Sequence, residues 1–139
     1  MMRTAELKVI RVVGAAIQNE RGEYLVAQRG ESMNQPGLWE FPGGKIEQGE
    51  SPTDALEREI REELQIEIKA LEWIGVGMAK IAPHQQIRLD VYRARLIAGV
   101  PSPGEHAQLR WLPLEQLDSI TWCPPDVPIV ERMMAVKKT

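Results

Sequence analysis

The chain has one cysteine, Cys123, among 139 residues. A single thiol cannot close an internal disulfide, so the fold must hold without one, and a reducing compartment fits. The formal net charge is only −3. There is no global basic surface of the kind that holds a nucleic-acid polymer, although a small anionic ligand stays open. No run approaches the ~18 apolar residues of a membrane span, and Met1-Met2-Arg3 leads straight into a strand pattern. Neither a span nor a signal peptide is expected, and the cytoplasm is the default. Repeats, low-complexity tracts and linkers are also lacking. What remains is 43% hydrophobic and 27% charged, ordinary for a soluble globular protein and expected to form one domain, residues 1–139, with its own core.

The densest stretch is Gly43 to Ile66, GGKIEQGESPTDALEREIREELQI. Ala55, Leu56, Ile60 and Leu64 recur at helical spacing and would bury one face. Ser51 is a good N-cap, Pro52 suits the first helical position, and Asp54 sits where a capping-box acid would reach back. The pattern predicts a helix over 52–64. Glu59, Glu62 and Glu63 then share its other face, because residues three and four apart are neighbours on a helix. A solvated acidic face is one reading of such a patch. The other is a cation site, since crowded carboxylates repel unless something positive lies among them. An all-oxygen set suits Mg²⁺, with Mn²⁺ as a substitute. The stretch has no cysteine or histidine, which argues against zinc.

Gly44, Glu50, Arg58, Glu59, Ile60, Glu62, Glu63 and Ile66 fill eight of the nine fixed positions of a 23-residue pattern, and on these residues the chain resembles the Nudix hydrolases. The departure is Gln65, where that family usually has the glycine that ends the helix in a left-handed conformation. Gln65 is expected to adopt that conformation at a steric cost, or else the helix ends differently. Leu38-Trp39-Glu40-Phe41-Pro42-Gly43-Gly44-Lys45 resembles the MutT-like subgroup.

The resemblance implies roles for individual residues. Metal would be held by Glu59, Glu62, Glu63 and the Gly43 carbonyl. Glu105, six residues ahead of Trp111, would bind metal or activate water, and Glu59 and Glu105 both stand as candidates for the general base. Arg58 would pair with a box glutamate such as Glu50 and stiffen the junction of loop and helix. Arg29 would line the nucleotide pocket. Trp39 or Phe41 would border the base, with core packing the alternative for each. Lys45 would neutralise a phosphate or stay solvated. Asp126 would face the edge of a nucleobase, or cap the closing helix; both can hold at once.

Elsewhere the chain reads as alternating strands and turns. Strands are expected over 7–17, with Gly14 a candidate bulge, and over 24–28. Residues 30–37 read as a loop. Two long strands follow, 66–78 and 87–97, the second with Arg88, Asp90, Arg93 and Arg95 on a wet face and a register slip near Tyr92. The turn between them would leave His84 exposed. Residues 98–106 form a loop, 108–112 a strand, 113–117 a helical turn, 120–125 a loop and 126–136 the last helix, before a ragged Lys137-Lys138 tail.

These elements make an α+β chain, a mixed sheet between helices, in agreement with the α/β/α sandwich that the Nudix resemblance implies. The implied activity is Mg²⁺-dependent hydrolysis of a nucleoside triphosphate to the monophosphate and pyrophosphate. 8-oxo-dGTP, removed in nucleotide-pool sanitation, is the first candidate substrate. CTP or another pyrimidine nucleotide is the alternative, because Pro124-Pro125-Asp126-Val127-Pro128 and its sequel resemble those enzymes. A non-catalytic nucleotide-binding module is a third reading. The expected partner is a small nucleotide, with no nucleic-acid polymer and no membrane, and the protein would be a monomer or a homodimer.

Overall fold

The computed structural model describes residues 6–137; Lys138 of the expected tail and the Met1-Met2-Arg3 start lie outside the described residues. In order, the elements are β1 (Lys8–Gln18), β2 (Tyr24–Gln28), β3 (Trp39–Glu40), β4 (Gly43–Lys45), α1 (Pro52–Leu64), β5 (Glu67–Ala82), β6 (Gln85–Ala98), β7 (Gln108–Leu112) and α2 (Val127–Lys137). Short 3₁₀ turns at Leu114–Ser119 and Pro124–Asp126 precede α2.

β1 is the axis of the sheet. β6 runs parallel to it from Lys8↔Gln85 to Gln18↔Arg95. β4 and β2 pair antiparallel with it, β4 at Val12↔Lys45 to Gly14↔Gly43 and β2 at Gln18↔Tyr24. β5 lies antiparallel to β6, while β3 and β7 both pair with β2. The period of two along β1 divides its side chains between two cores. Val13, Ala15 and Ile17 pack with Leu56, Ile60 and Leu64 of α1. Ala16 packs with Phe41, Trp122, Ile129 and Met133 on the side of α2. The result is a mixed sheet between helices, an α+β sandwich. Among the described residues no helix is long and apolar enough to cross a membrane.

α1 covers residues 52–64 as its spacing predicts, with Ala55, Leu56, Ile60 and Leu64 fully buried. Each buried leucine or isoleucine contributes up to about 1.5–3 kcal/mol. The Ser51 hydroxyl accepts from the Asp54 N–H at 3.2 Å, so the cap is made by serine. Gln65 ends the helix at φ 59° and ψ 38°, its N–H donating to the Arg61 carbonyl. The glutamine therefore takes the left-handed conformation usually given to glycine, and the helix does not end differently.

Several expectations need correction. The long strands extend further than their alternation suggests and meet at Pro83-His84, where His84 is exposed. The register slip opposite Tyr92 is real, but the extra residues lie on β5: Ala70 pairs with Ala94, Trp73 with Tyr92 and Gly75 with Val91. The Ala70 N–H at this irregularity donates to Glu57 of α1 at 3.0 Å, which satisfies a group that the ladder leaves over. Asp90 is not on a wet face; it is buried, accepting from Trp73 Nε1 at 2.9 Å and from Arg88 Nε at 3.2 Å. Asp126 does not cap α2. It lies in the preceding 3₁₀ turn and bonds to another part of the chain.

Candidate active site

β4 brings Gly43 and Gly44 alongside β1 and under the start of the acidic face of α1. A Cβ on Gly43 would overlap the Val13 carbonyl, and one on Gly44 would overlap the Glu59 carboxylate. At Gly43 the clash is with backbone and demands glycine for reasons of space; at Gly44 a side chain would displace the Glu59 carboxylate. Arg58 ties the junction together. Its Nε and Nη2 donate to the two oxygens of Glu50 at 2.6 and 2.9 Å, Nη2 also reaches the Lys45 carbonyl at 3.2 Å, and Nη1 donates to Glu59 Oε1 at 3.0 Å and Glu62 Oε2 at 3.2 Å. The Arg58 hydrogen bonds, helped by the Glu47 N–H, hold the Glu50 carboxyl below the usual carboxylate range. Arg58 is thus the clasp between the glycine loop and the helix.

Glu63 stands apart from that clasp. Its Oε2 is buried without a hydrogen-bond partner among the described residues. Burial pushes its pKa up to about 7; nearby His106 opposes the shift, and the carboxylates Glu59, Glu40 and Glu105 add to it. Glu105 is exposed, in the loop before β7. Glu59 and Glu105 therefore both lie within the field of Glu63. An orphaned carboxylate oxygen among like charges is what a hard cation would satisfy, so the oxygen donor set fits a divalent metal in kind. Among the described residues no three acidic, histidine or cysteine side chains converge as a ready-made metal site. Arg58 engages one oxygen of each of Glu59 and Glu62.

His106 was invisible to sequence reasoning as a site residue. It is buried, and its Nε2 donates to Glu40 Oε2 at 2.8 Å. Burial works against its charged form, but the hydrogen bond and charge of Glu40, with Glu63 behind, raise its pKa on balance. Glu40 Oε1 accepts from Arg29 Nη1 at 2.6 Å. The only local signal for this group is that Glu40 alternates with the buried Trp39 and Phe41, so that its side chain points to the other side of the strand.

A cavity of about 430 Å³ opens beside this group. Gly44 lies at its box end and Phe41 and Asp126 in its wall, with Arg29 and Glu40 alongside and Met78 and Ile87 from the β5–β6 hairpin across from them. Asp126 Oδ1 accepts from the Phe41 N–H at 3.0 Å. Asp126 is fully enclosed, and burial pushes its pKa well above the ordinary aspartate value, with the Phe41 N–H opposing. Phe41 is held from behind by Trp122, their ring centroids 4.7 Å apart.

Of the candidate substrate residues, Arg29, Phe41 and Asp126 come together in this cavity. Trp39 and Lys45 do not line it. Trp39 is buried in the core with the Arg110 guanidinium 5.2 Å from its ring, and Lys45 is exposed on β4. A larger groove of about 570 Å³ lies between the Asn19–Glu23 turn and Leu96–Gly99, with none of the box residues in its wall.

Comparison with known proteins bears on the family of the chain. The NUDIX domain matches residues 8–133. The chain is 37% identical over 131 residues to the CTP pyrophosphohydrolase of Escherichia coli (strain K12), covering 94% of this chain and 96% of that one. It is 38% identical over 122 residues to the putative 8-oxo-dGTP diphosphatase 2 of Mycobacterium tuberculosis (strain ATCC 25618 / H37Rv), covering 86% and 84% respectively. Among solved structures, the MutT protein from Methanosarcina mazei Go1 superposes with a TM-score of 0.85 at 25% identity, covering 98% of this chain and 100% of that one. With the box glutamates on α1, the paired glycines beneath them and a match over nearly the whole chain, this protein belongs to the Nudix family of hydrolases.

Proposed function

We propose that the protein hydrolyses a nucleoside triphosphate to the monophosphate and pyrophosphate, with 8-oxo-dGTP as the leading substrate. The observation that carries this reading is the cavity that joins Gly44, at the start of the glutamate box, to Asp126 and Phe41. Gly44 brings one end beside Glu59 of the box, although no box glutamate lines the cavity itself; the other end offers Phe41 and the buried carboxyl of Asp126 for a base.

Nudix hydrolases generally need a divalent metal, and the oxygen-only donors here suit Mg²⁺, or Mn²⁺ in its place. Glu59, Glu62, Glu63 and the Gly43 carbonyl would hold it, with Glu105 reaching in from the loop before β7. When bound, the ion cancels polyphosphate charge and lowers the pKa of a coordinated water. The chain supplies the rest. Gly43 and Gly44 let the backbone approach the phosphates closely. Arg58 fixes the loop against the helix. Glu59, whose Oε2 is not used by Arg58, and Glu105 are the two candidates to take the proton from the attacking water. Asp126, its carboxyl held toward the neutral form, can donate as well as accept at a base edge. Arg29 offers a guanidinium in the same cavity.

A pyrimidine nucleotide is the second reading, favoured by the 37% identity to an enzyme named CTP pyrophosphohydrolase. A panel of 8-oxo-dGTP, dGTP, CTP, dCTP, 5-methyl-dCTP and dTTP with Mg²⁺ separates the two. Preference for 8-oxo-dGTP over dGTP supports pool sanitation, with Asp126 reading a purine edge. Preference for the cytosine nucleotides supports the second reading, and no turnover of any of them contradicts both. A cytoplasmic location fits the one cysteine, Cys123, a free thiol that burial pushes up to about 12, and the protein would act as a monomer or homodimer.

A further inference from the structure

Glu40 has both carboxylate oxygens committed, Oε1 to Arg29 Nη1 and Oε2 to His106 Nε2. The three residues come from three separate parts of the chain: the end of β2, β3 and the loop before β7. Exposure rises along the series, with side chains 3% accessible at His106, 17% at Glu40 and 21% at Arg29. Arg29 and Glu40 line the cavity, and His106 lies behind them. Arg29 also donates through Nε to the Asn34 carbonyl. Among the described residues Nη2 has no acceptor, so the guanidinium is gripped by two of its nitrogens and keeps the third for something else.

Stability alone is a poor reason for such a group. Buried and half-buried charges cost desolvation, and apolar side chains of the same size serve a core as well or better. An arginine fixed in advance, by contrast, loses little freedom when a ligand arrives. We infer that His106 is a positioning residue for nucleotide recognition: through Glu40 it holds the Arg29 guanidinium so that Nη2 meets an acceptor oxygen of the bound nucleotide. The inference rests on the nucleotide-hydrolase reading above. It makes His106 act at a distance, on binding rather than on the chemical step.

The test is steady-state pyrophosphate release with Mg²⁺ on the best triphosphate of the panel, comparing wild type, His106→Phe, which keeps ring volume without a donor, and His106→Gln, which keeps a donor. His106→Phe is expected to raise KM about tenfold, the loss of one charge-assisted hydrogen bond, while kcat changes less than about threefold. His106→Gln is expected to recover most of that loss. In an Arg29→Ala background His106→Phe should raise KM no further, because the residue it acts through is gone. A KM rise that is equal for purine and pyrimidine nucleotides assigns Nη2 to a phosphate or sugar oxygen; a rise for one base alone assigns it to that base. If His106→Phe does not fold, Glu40→Gln carries the same expectations in wild-type and Arg29→Ala backgrounds.

The inference is overturned if the folded variant keeps the wild-type KM, if kcat falls while KM holds, or if the full KM rise persists without Arg29. Should wild type release no pyrophosphate from any triphosphate, the hydrolase reading fails and this inference falls with it. Should wild type turn over and the variants match it, only this inference fails.

Discussion

Asp126 Oδ1 accepts a hydrogen bond from the Phe41 N–H at 3.0 Å, across 85 positions of sequence. The bond ties the turn before α2 to the chain just ahead of the glycine loop, and so fixes the far wall of the cavity relative to the box.

That bond sits in an enclosed site where the folded protein keeps a proton on Asp126 that the unfolded chain has given up above its ordinary value of 3.8. A raised folded-state pKa means that stability is fully present below the unfolded value and is lost as pH rises through the folded one. Asp126→Asn retains an acceptor for Phe41 and removes the titration. Urea unfolding from pH 4 upward should therefore show wild type losing stability relative to the variant, by at most about 1.4 kcal/mol per pH unit. Parallel stability curves would contradict an enclosed, proton-holding carboxyl.

Arg58 is expected to matter more for activity than its place on a helix surface suggests. It spans Glu50, Glu59, Glu62 and the Lys45 carbonyl with a planar fork that lysine cannot reproduce. Arg58→Lys should lower kcat/KM by about 10–100-fold, the usual cost of disturbing a group that orients ligands, while circular dichroism shows the fold retained. Wild-type kcat/KM in Arg58→Lys would remove the clasp from the account.

The helix end offers a stability test. Gln65 occupies φ 59°, ψ 38°, which costs a residue with a Cβ about 1–2 kcal/mol. Glycine relieves that strain but adds freedom to the unfolded chain, worth about 0.4–1 kcal/mol. Gln65→Gly should thus stabilise by about 0.5–1 kcal/mol in chemical denaturation. A destabilised variant would mean that the glutamine side chain contributes packing that outweighs the strain.

What could be read in the sequence was what is local. α1 was legible because Ser51, Pro52 and four apolar residues at helical spacing all lie within fourteen positions, from 51 to 64. The left-handed end at Gln65 was one of two outcomes left open, raised by the Nudix resemblance and not by the local spacing. The burial of Asp90 was not, because its partner Trp73 stands on another strand, 17 residues away. His106 escaped because its acceptor Glu40 is 66 residues distant, and nothing near position 106 announces it. Asp126 looked like a helix cap because a carboxylate just before a helix is the common local arrangement; the long-range bond to Phe41 took precedence. The extra residues of β5 hide in its apolar run, where alternation cannot show which strand of a pair carries the irregularity.

If the acidic face of α1 is metal-dependent hydrolytic machinery, its glutamates must be needed for turnover. Glu62 tests it well, because its side chain is 60% exposed and its contact with Arg58 is a surface pair, so its loss should leave the fold nearly unchanged. The measurement is pyrophosphate release from the nucleotide panel, with and without Mg²⁺, by wild type and Glu62→Gln. Wild type is expected to release pyrophosphate only with Mg²⁺, and the variant to lose about 100-fold or more, equivalent to about 3 kcal/mol of transition-state stabilisation. Equal release by the two proteins, or none by either, would contradict that role.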